Sequence, residues 1–367
     1  MHCQNGSAWR NYVGAVLDQN SDWKPYDFQN HTFVFGATNP AIRVLKNHPY
    51  LPNMNGHYKI YVKNRPQDTA VTATFDIVKG TPPPTPTSAV VFDPFNRAAV
   101  KNAYQTIYKT NSAAPMQWTG SIQTCTPGNP GPGYREAVIN VLNYYRALTG
   151  INGDVTLDIS RSESSQAAAL MMAANGQLSH APPSSWTCYS QLGAQGAGSS
   201  NIALGANGPS ALDIYMDDFG SNNTAAGHRR WMLYPSLGSV GVGSVPGADA
   251  LTVIGGGGGA RKDPPNGVSW PSQGYFPVQH MPGSRRWSFS KAGAGISQAQ
   301  IHVTRNGQTL SSTPEPYAYG YGDDTLVWIQ DGVDSSLSTY HVTISNVIEA
   351  GVAKTINYDI QVFDPEQ

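Results

Sequence analysis

Two histidines stand out by their surroundings. His180 follows a helix stop in "AANGQLSHAPP", where Ala181-Pro182-Pro183 fixes the backbone beyond it. His228 lies in "NTAAGHRRWMLYP", after Gly227, which permits close backbone approach, and before Arg229-Arg230-Trp231. Neutral imidazoles brought together can hold a divalent metal such as Zn²⁺, and one alone can act as a general base. Taken singly, each is as compatible with a cap or a packed side chain at a helix end. Two nitrogens fall short of the four ligands of a structural zinc, so a site resting on them binds modestly and with pH dependence.

Other familiar chemistries are missing. No histidine is followed by glutamate, so the zinc-protease helix H-E-x-x-H is absent, and no G-x-S-x-G elbow offers a serine nucleophile. "VIGGGGGARK" lacks the G-K-[ST] of a phosphate loop and runs into Asp263-Pro264-Pro265, which reads as a linker or tight turn.

The elements that must position the histidines are readable from periodicity. "REAVINVLNYYRALTG" places Val138, Val141, Leu142, Tyr145 and Leu148 on one helical face and stops at Gly150. "RSESSQAAALMMAANG" stacks Ala167, Leu170, Met171 and Ala174 and stops at Gly176, just ahead of His180. "SALDIYMDDFG" is a third helix, opened by Ser210 as N-cap. "SLGSVGVGSV" and "ADALTVIGG" read as strands between and after them. On either side the period is two. "HTFVFG", "HYKIYVKN" and "TAVTATFDIVKG" come before the proline-rich "KGTPPPTPTSA"; "RWSFSKAG", "AQIHVTRNGQTL", "DTLVWIQDG", "STYHVTISNV" and "INYDIQVFD" come after Trp287. "RNGQ" suits a type I′ hairpin.

Composition bounds the setting. The 367 residues exceed one ordinary core, and a net charge of −1 gives no electrostatic case for nucleic acid. Only 13% of residues are charged, against roughly 25% in ordinary soluble chains. With 38 Gly, 27 Pro and 19 Tyr, the sequence reads as secreted or cell-surface. No stretch of about 18 apolar residues could span a membrane. "MHCQNGSAWRNYV" is no signal peptide, so an exported form is expected to have lost its signal. Cys125 and Cys188 sit in loops flanking helical segments; a bridge between them would clamp the His180 segment and leave Cys3 odd, the alternative being three free thiols.

The strings "REAVINVLNYYRALTG…VTLDISRSESSQAAALMMAANGQLSHAPP" and "NIALGANGPSALDIYMDDFGSNNTAAGHRRWMLYPSLGSVGVG" resemble the two halves of a bacterial CAP domain. That superfamily comprises cysteine-rich secretory, antigen 5 and pathogenesis-related 1 proteins and is also called SCP-like. The resemblance covers roughly residues 95 to 260 and implies an α-β-α sandwich whose cleft is formed by two histidines and two acids. His180 and His228 fall on the histidine positions. Ser200 stands where the family often has a glutamate before the Asn of "ENIA", and Asp218, three residues after Tyr215, is the one carboxylate left for the second acid. The resemblance thus implies His180, His228 and Asp218 as a catalytic set, the two histidines as metal ligands, and Ser200, Asn201 and Tyr215 as ligand contacts.

The expected fold class is α+β. A β-sandwich (Ig-like) at 1–80, a linker at 81–88, a CAP-like α-β-α domain at 89–272 and a second β-sandwich at 273–367 would follow one another. The two-histidine cleft would bind Zn²⁺, another divalent metal or a polar ligand group, and the β-domains would attach a monomer to an extracellular polymer or cell-envelope component. The alternatives are a metal-assisted hydrolase of peptides or glycans and a purely structural scaffold. Trp186, Trp231 and Trp270 would either stack on sugars or pack in the core.

Overall fold

The computed structural model describes residues 89–334 and 337–367. Ahead of them it describes the backbone of six short strands in three antiparallel pairs: His2–Asn5 with Ala8–Asn11, Val16–Leu17 with Trp23–Lys24, and Gly56–Val62 with Val71–Ile77. The expected N-terminal sandwich and the 81–88 linker otherwise lie outside the described residues. Pro86–Gln367 forms one compact unit, distinct from Met1–Thr85.

Helix α1 (Arg97–Ala103) runs on through a π-helical stretch, Tyr104–Lys109, to Ser112. Helix α2 (Tyr134–Leu148) buries the predicted face, with Val138, Val141, Leu142, Tyr145 and Leu148 almost wholly inaccessible. Strand β1 (Thr156–Leu157) leads into α3 (Ile159–Asn175), capped by the Asp158 carboxylate on the Arg161 N–H and stopped by Gly176. Then follow α4 (Gln191–Ser199), β2 (Ser200–Leu204), α5 (Pro209–Asp217) and α6 (Gly227–Met232), and the hairpin of β3 (Ser239–Val245) and β4 (Ala248–Thr252).

Helix α5 starts differently from its sequence reading. Gly208 is the cap and Pro209 the first helical residue; Ser210 lies within the first turn, its hydroxyl bonded to the Asn207 carbonyl. Proline prefers that first position because its fixed φ suits the helix and its missing N–H would go unused there.

The four strands order as β1-β3-β4-β2, antiparallel except for the parallel β1–β3 pair. One face carries Ile202, Val245, Ala248 and Ala250 against Ala168, Leu170 and Met172 of α3 and Ala197 of α4. On the other, Ala203, Val240, Val242 and Leu251 join the core containing α2 and α5. This is an α-β-α layering within an α+β chain. The glycines of "GVG" set its thickness: a Cβ at Gly243 would sit 2.0 Å from the Ser165 carbonyl carbon, and one at Gly241 2.4 Å from that of Arg161. Helix α3 therefore lies directly on strand β3.

Beyond Pro264 two more sheets form from β5 (Val268–Trp270), β6 (Gly274–Pro277), β7 (Arg286–Ser290), β8 (Gln300–Arg305), β9 (Gln308–Leu310), β10 (Ser312–Pro314), β11 (Thr325–Gln330), β12 (Thr339–Glu349) and β13 (Val352–Phe363). Their orders are β5-β7-β11-β10 and β6-β13-β12-β8-β9. Trp287 meets Tyr340 edge-on at 5.4 Å and Phe289 stacks with Tyr358 at 6.2 Å, so the sheets pack face to face through aromatic rings. The alternating strands after Trp287 and the segment before them share one core cluster, which runs from Val100 to Phe363. Trp270 belongs to that core, 2% exposed and edge-on to Tyr145 and Phe276, which removes it as a sugar-stacking residue.

Candidate two-histidine cleft

His180 and His228 line one cleft of about 690 Å³. His180 comes from the loop after α3, which the Cys125–Cys188 disulfide ties back to the loop ahead of α2. Closing a loop of that length is worth roughly 4 kcal/mol in the chain-entropy model. His228 is the second residue of α6, and a Cβ at the preceding Gly227 would meet the Tyr321 ring at 2.8 Å, so the glycine brings this backbone against the cleft wall. The Cys3 side chain lies outside the described residues.

Both imidazoles are held through Nδ1. The His180 Nδ1 lies 2.9 Å from the Ala197 carbonyl oxygen, and the His228 Nδ1 lies 2.7 Å from Asp218 Oδ1. A carbonyl or a carboxylate can only accept, so each Nδ1 donates its hydrogen and each neutral ring keeps its lone pair on Nε2. That arrangement orients imidazoles for ligation in metal sites.

Asp218 works from behind His228. It is buried, and its second oxygen accepts the Arg229 N–H at 3.1 Å. Its backbone adopts φ +52°, a conformation aspartate tolerates better than most residues, and its carbonyl accepts from Arg286 of β7. The carboxylate is thus committed to positioning; it is not one of the cleft-lining groups.

Tyr215, Asn201 and Ser200 form the floor. Tyr215 stacks on the His228 ring at 5.2 Å, and its one hydroxyl hydrogen is shared between the Asn201 carbonyl and Asp249 Oδ2, both at 3.1 Å. The Asn201 amide donates to the His228 carbonyl at 3.1 Å. The Ser200 hydroxyl pairs with Thr252 Oγ1 at 2.9 Å in the interior. Trp231 lines the wall, while Leu178, Phe219 and Tyr321 expose apolar surface at the cleft. Trp186 is half-buried against the α3–α4 core and is not among the lining residues.

Three further residues had no role assigned from the sequence. Asp249, wholly buried, accepts from the Gly208 N–H, the Ser244 hydroxyl and Tyr215, and burial lifts its carboxyl to about 6. The arginines after His228 anchor the site to the C-terminal sheets. Arg229 donates to the Met216 and Asp217 carbonyls and to Ser288 Oγ. Arg230 reaches the carbonyls of Ala318 and Asp323. Burial pulls the Arg229 guanidinium down to about 10, still far above neutrality.

Residues 139–254 match the family described as the cysteine-rich secretory protein family, CAP. This segment is a CAP domain. It spans most of α2 through β4, and so includes both histidines, Asp218, and the Ser200, Asn201 and Tyr215 floor. Comparison with curated proteins returns no match. Among the described residues no helix of the CAP domain or its surroundings is long and apolar enough to cross a membrane.

Proposed function

We propose that the protein acts outside the cytoplasm, its CAP-domain cleft binding a divalent metal or a polar ligand group through His180 and His228. The observation carrying this reading is the pair of imidazoles on one cleft, each with Nδ1 engaged and, among the described residues, no partner on Nε2. The donor set suits an open, modest-affinity site. Among the described residues no group of three or more His, Cys, Asp or Glu side chains could hold a metal, so water or ligand oxygens would fill the remaining positions. A bound Zn²⁺ would supply Lewis acidity; the protein's part is to orient the two rings and shield one side of the cleft with Tyr215. The disulfide and the charge-poor composition support an extracellular setting. In this reading the strand-rich flanks, of Ig-like sandwich type, attach the CAP domain to an extracellular polymer or cell-envelope component.

Calorimetric titration of zinc into wild type, H228A and D218N tests the assignment. Wild type binds, more weakly as pH falls because protons compete for the same lone pairs. H228A loses binding and D218N weakens it about tenfold, as loss of a positioning partner does elsewhere. Equal affinity in all three places any metal elsewhere.

The Asp218–His228 pair also favours a second reading, a hydrolase in which His228 is the general base and Asp218 holds its ring. Turnover of a peptide or glycan substrate that survives H228A would exclude it.

A further inference from the structure

On the other side of the Asp213–Phe219 segment lies a second cavity, of about 290 Å³. Asp213 of α5 contributes a carboxylate whose oxygens each accept one tyrosine hydroxyl, Tyr145 at 2.6 Å and Tyr108 at 3.1 Å. The chain of donors behind it is directed. Tyr145 gives its hydrogen to Asp213, so its oxygen accepts from His280 Nδ1 at 3.4 Å, and His280 Nε2 accepts from Tyr144 at 3.1 Å. His280 is buried and therefore neutral, its imidazole pushed down to about 3. No lysine or arginine lines the cavity, and among the described residues none is ion-paired to Asp213. Burial raises the Asp213 carboxyl to about 6, which leaves it mostly ionised at neutral pH.

The rest of the lining is largely aromatic and apolar: Tyr108, Phe219, Ile214 and Met281, with the buried Tyr145 and Trp270 behind them. Asp217 adds a second carboxylate, with Oδ1 accepting the Ser284 N–H at 2.9 Å. Two carboxylates with no lining cation among the described residues give the cavity a negative potential, so it repels anions. A strongly hydrated metal ion would find too few oxygen donors among the aromatic walls. A poorly hydrated organic cation meets both requirements at once, a counter-charge for Asp213 and apolar contact with the rings. The volume approaches the lower end for small-molecule sites.

From this geometry we propose that the Asp213 cavity is a binding site for an alkylammonium group. The site is centred on Asp213, with Ile214 and Phe219 lying between it and the two-histidine cleft, and it does not depend on the reading given to that cleft.

The test is calorimetric titration with choline and with n-butylammonium, each beside a neutral counterpart; for choline this is 3,3-dimethylbutan-1-ol, of the same shape without the charge. Saturable binding of at least one cation, at least tenfold tighter than its neutral counterpart, is expected. D213N should weaken that binding at least tenfold, and F219A, which removes an exposed wall, should weaken it severalfold. H228A should leave it intact, separating this cavity from the cleft. Should D213N fail to fold, F219A and the neutral counterparts decide. No saturable binding of either cation, equal binding of the neutral counterpart, or undiminished binding in folded D213N or F219A overturns the proposal.

Discussion

Asp218 and Asp249 both work from behind the cleft lining, one bonded to His228 and the other to Tyr215, yet only Asp218 was visible in the sequence. The family resemblance marked it, through its place three residues after Tyr215, though not its positioning role. Whether a carboxylate faces a ligand or braces a neighbouring imidazole depends on which way its backbone turns, and Asp218 sits in the left-handed region. Asp249 left a fainter signal, a charged residue inside the apolar "ADALTV" run. Period two puts it on the same face as Leu251, toward the core, where a carboxylate needs donors; it finds three. Its folded-state carboxyl, at about 6 through burial, lies above that of an exposed aspartate, so the native state holds the proton more tightly than the unfolded chain. On this group's account, stability falls as pH rises from about 4 to about 6, by roughly 3 kcal/mol for a shift of about two pH units. D249N abolishes that component while keeping the shape, because its oxygen still accepts from Gly208 and Ser244 and its amide donates to the Tyr215 oxygen. Urea unfolding at pH 4 and pH 7 should show D249N gaining about 3 kcal/mol relative to wild type at the higher pH. A constant difference between the two pH values would mean that Asp249 does not titrate as its burial implies.

At the scale of elements, long periodic segments were legible and short or glycine-rich ones were not. Helices α2 and α3 and the β3–β4 hairpin follow their hydrophobic spacing and stop signals. Helix α4, "QLGAQGAGS", carries no helical signal because three glycines weaken helix propensity; packing overrides it, since a Cβ at Gly196 would sit 2.2 Å from the Ser164 carbonyl oxygen. Close approach explains "GVG" as well. G243A forces α3 away from β3 or strains both, and is expected to destabilise by about 3 kcal/mol, in the upper part of the overpacking range. G205A meets no atom within 4 Å and bears only the strain of its φ of +81°, about 1 kcal/mol. Chemical denaturation of the two variants compares them directly. Because α3 delivers the His180 loop, G243A should also weaken zinc binding, whereas G205A should not. Equal stability losses would show that the helix–sheet contact yields easily.

The whole molecule shows where periodicity misleads. The return to strictly alternating patterns from about Trp287 suggests two domains with a boundary at 272, yet side chains lock the segments together. Arg229 reaches Ser288, Arg230 reaches Ala318 and Asp323, and Arg286 donates to the carbonyls of Asp218 and Gly220 while pairing with Glu315. The α1 segment joins in at the chain end, with Gln105 donating to the Pro365 carbonyl at 2.8 Å and Lys109 pairing with Glu366. Alternation reports which residues face inward along a strand, but carries nothing about which element supplies the opposing face. Cutting at 272 would take the Ser288 acceptor from Arg229 and the Ala318 and Asp323 carbonyls from Arg230, and expose the side of Trp270 that packs on Phe276. A buried charge that loses its partners costs several kcal/mol, a large share of a typical domain's stability. Residues 86–367 are therefore expected to unfold in a single calorimetric transition, and residues 86–272 alone to show no cooperative transition and no zinc binding. R286A, which releases the Asp218 carbonyl without shortening the chain, should lower the midpoint of that one transition while keeping it single. Two separable transitions in residues 86–367, or a cooperatively folded 86–272 fragment, would return the C-terminal sheets to the status of an independent domain.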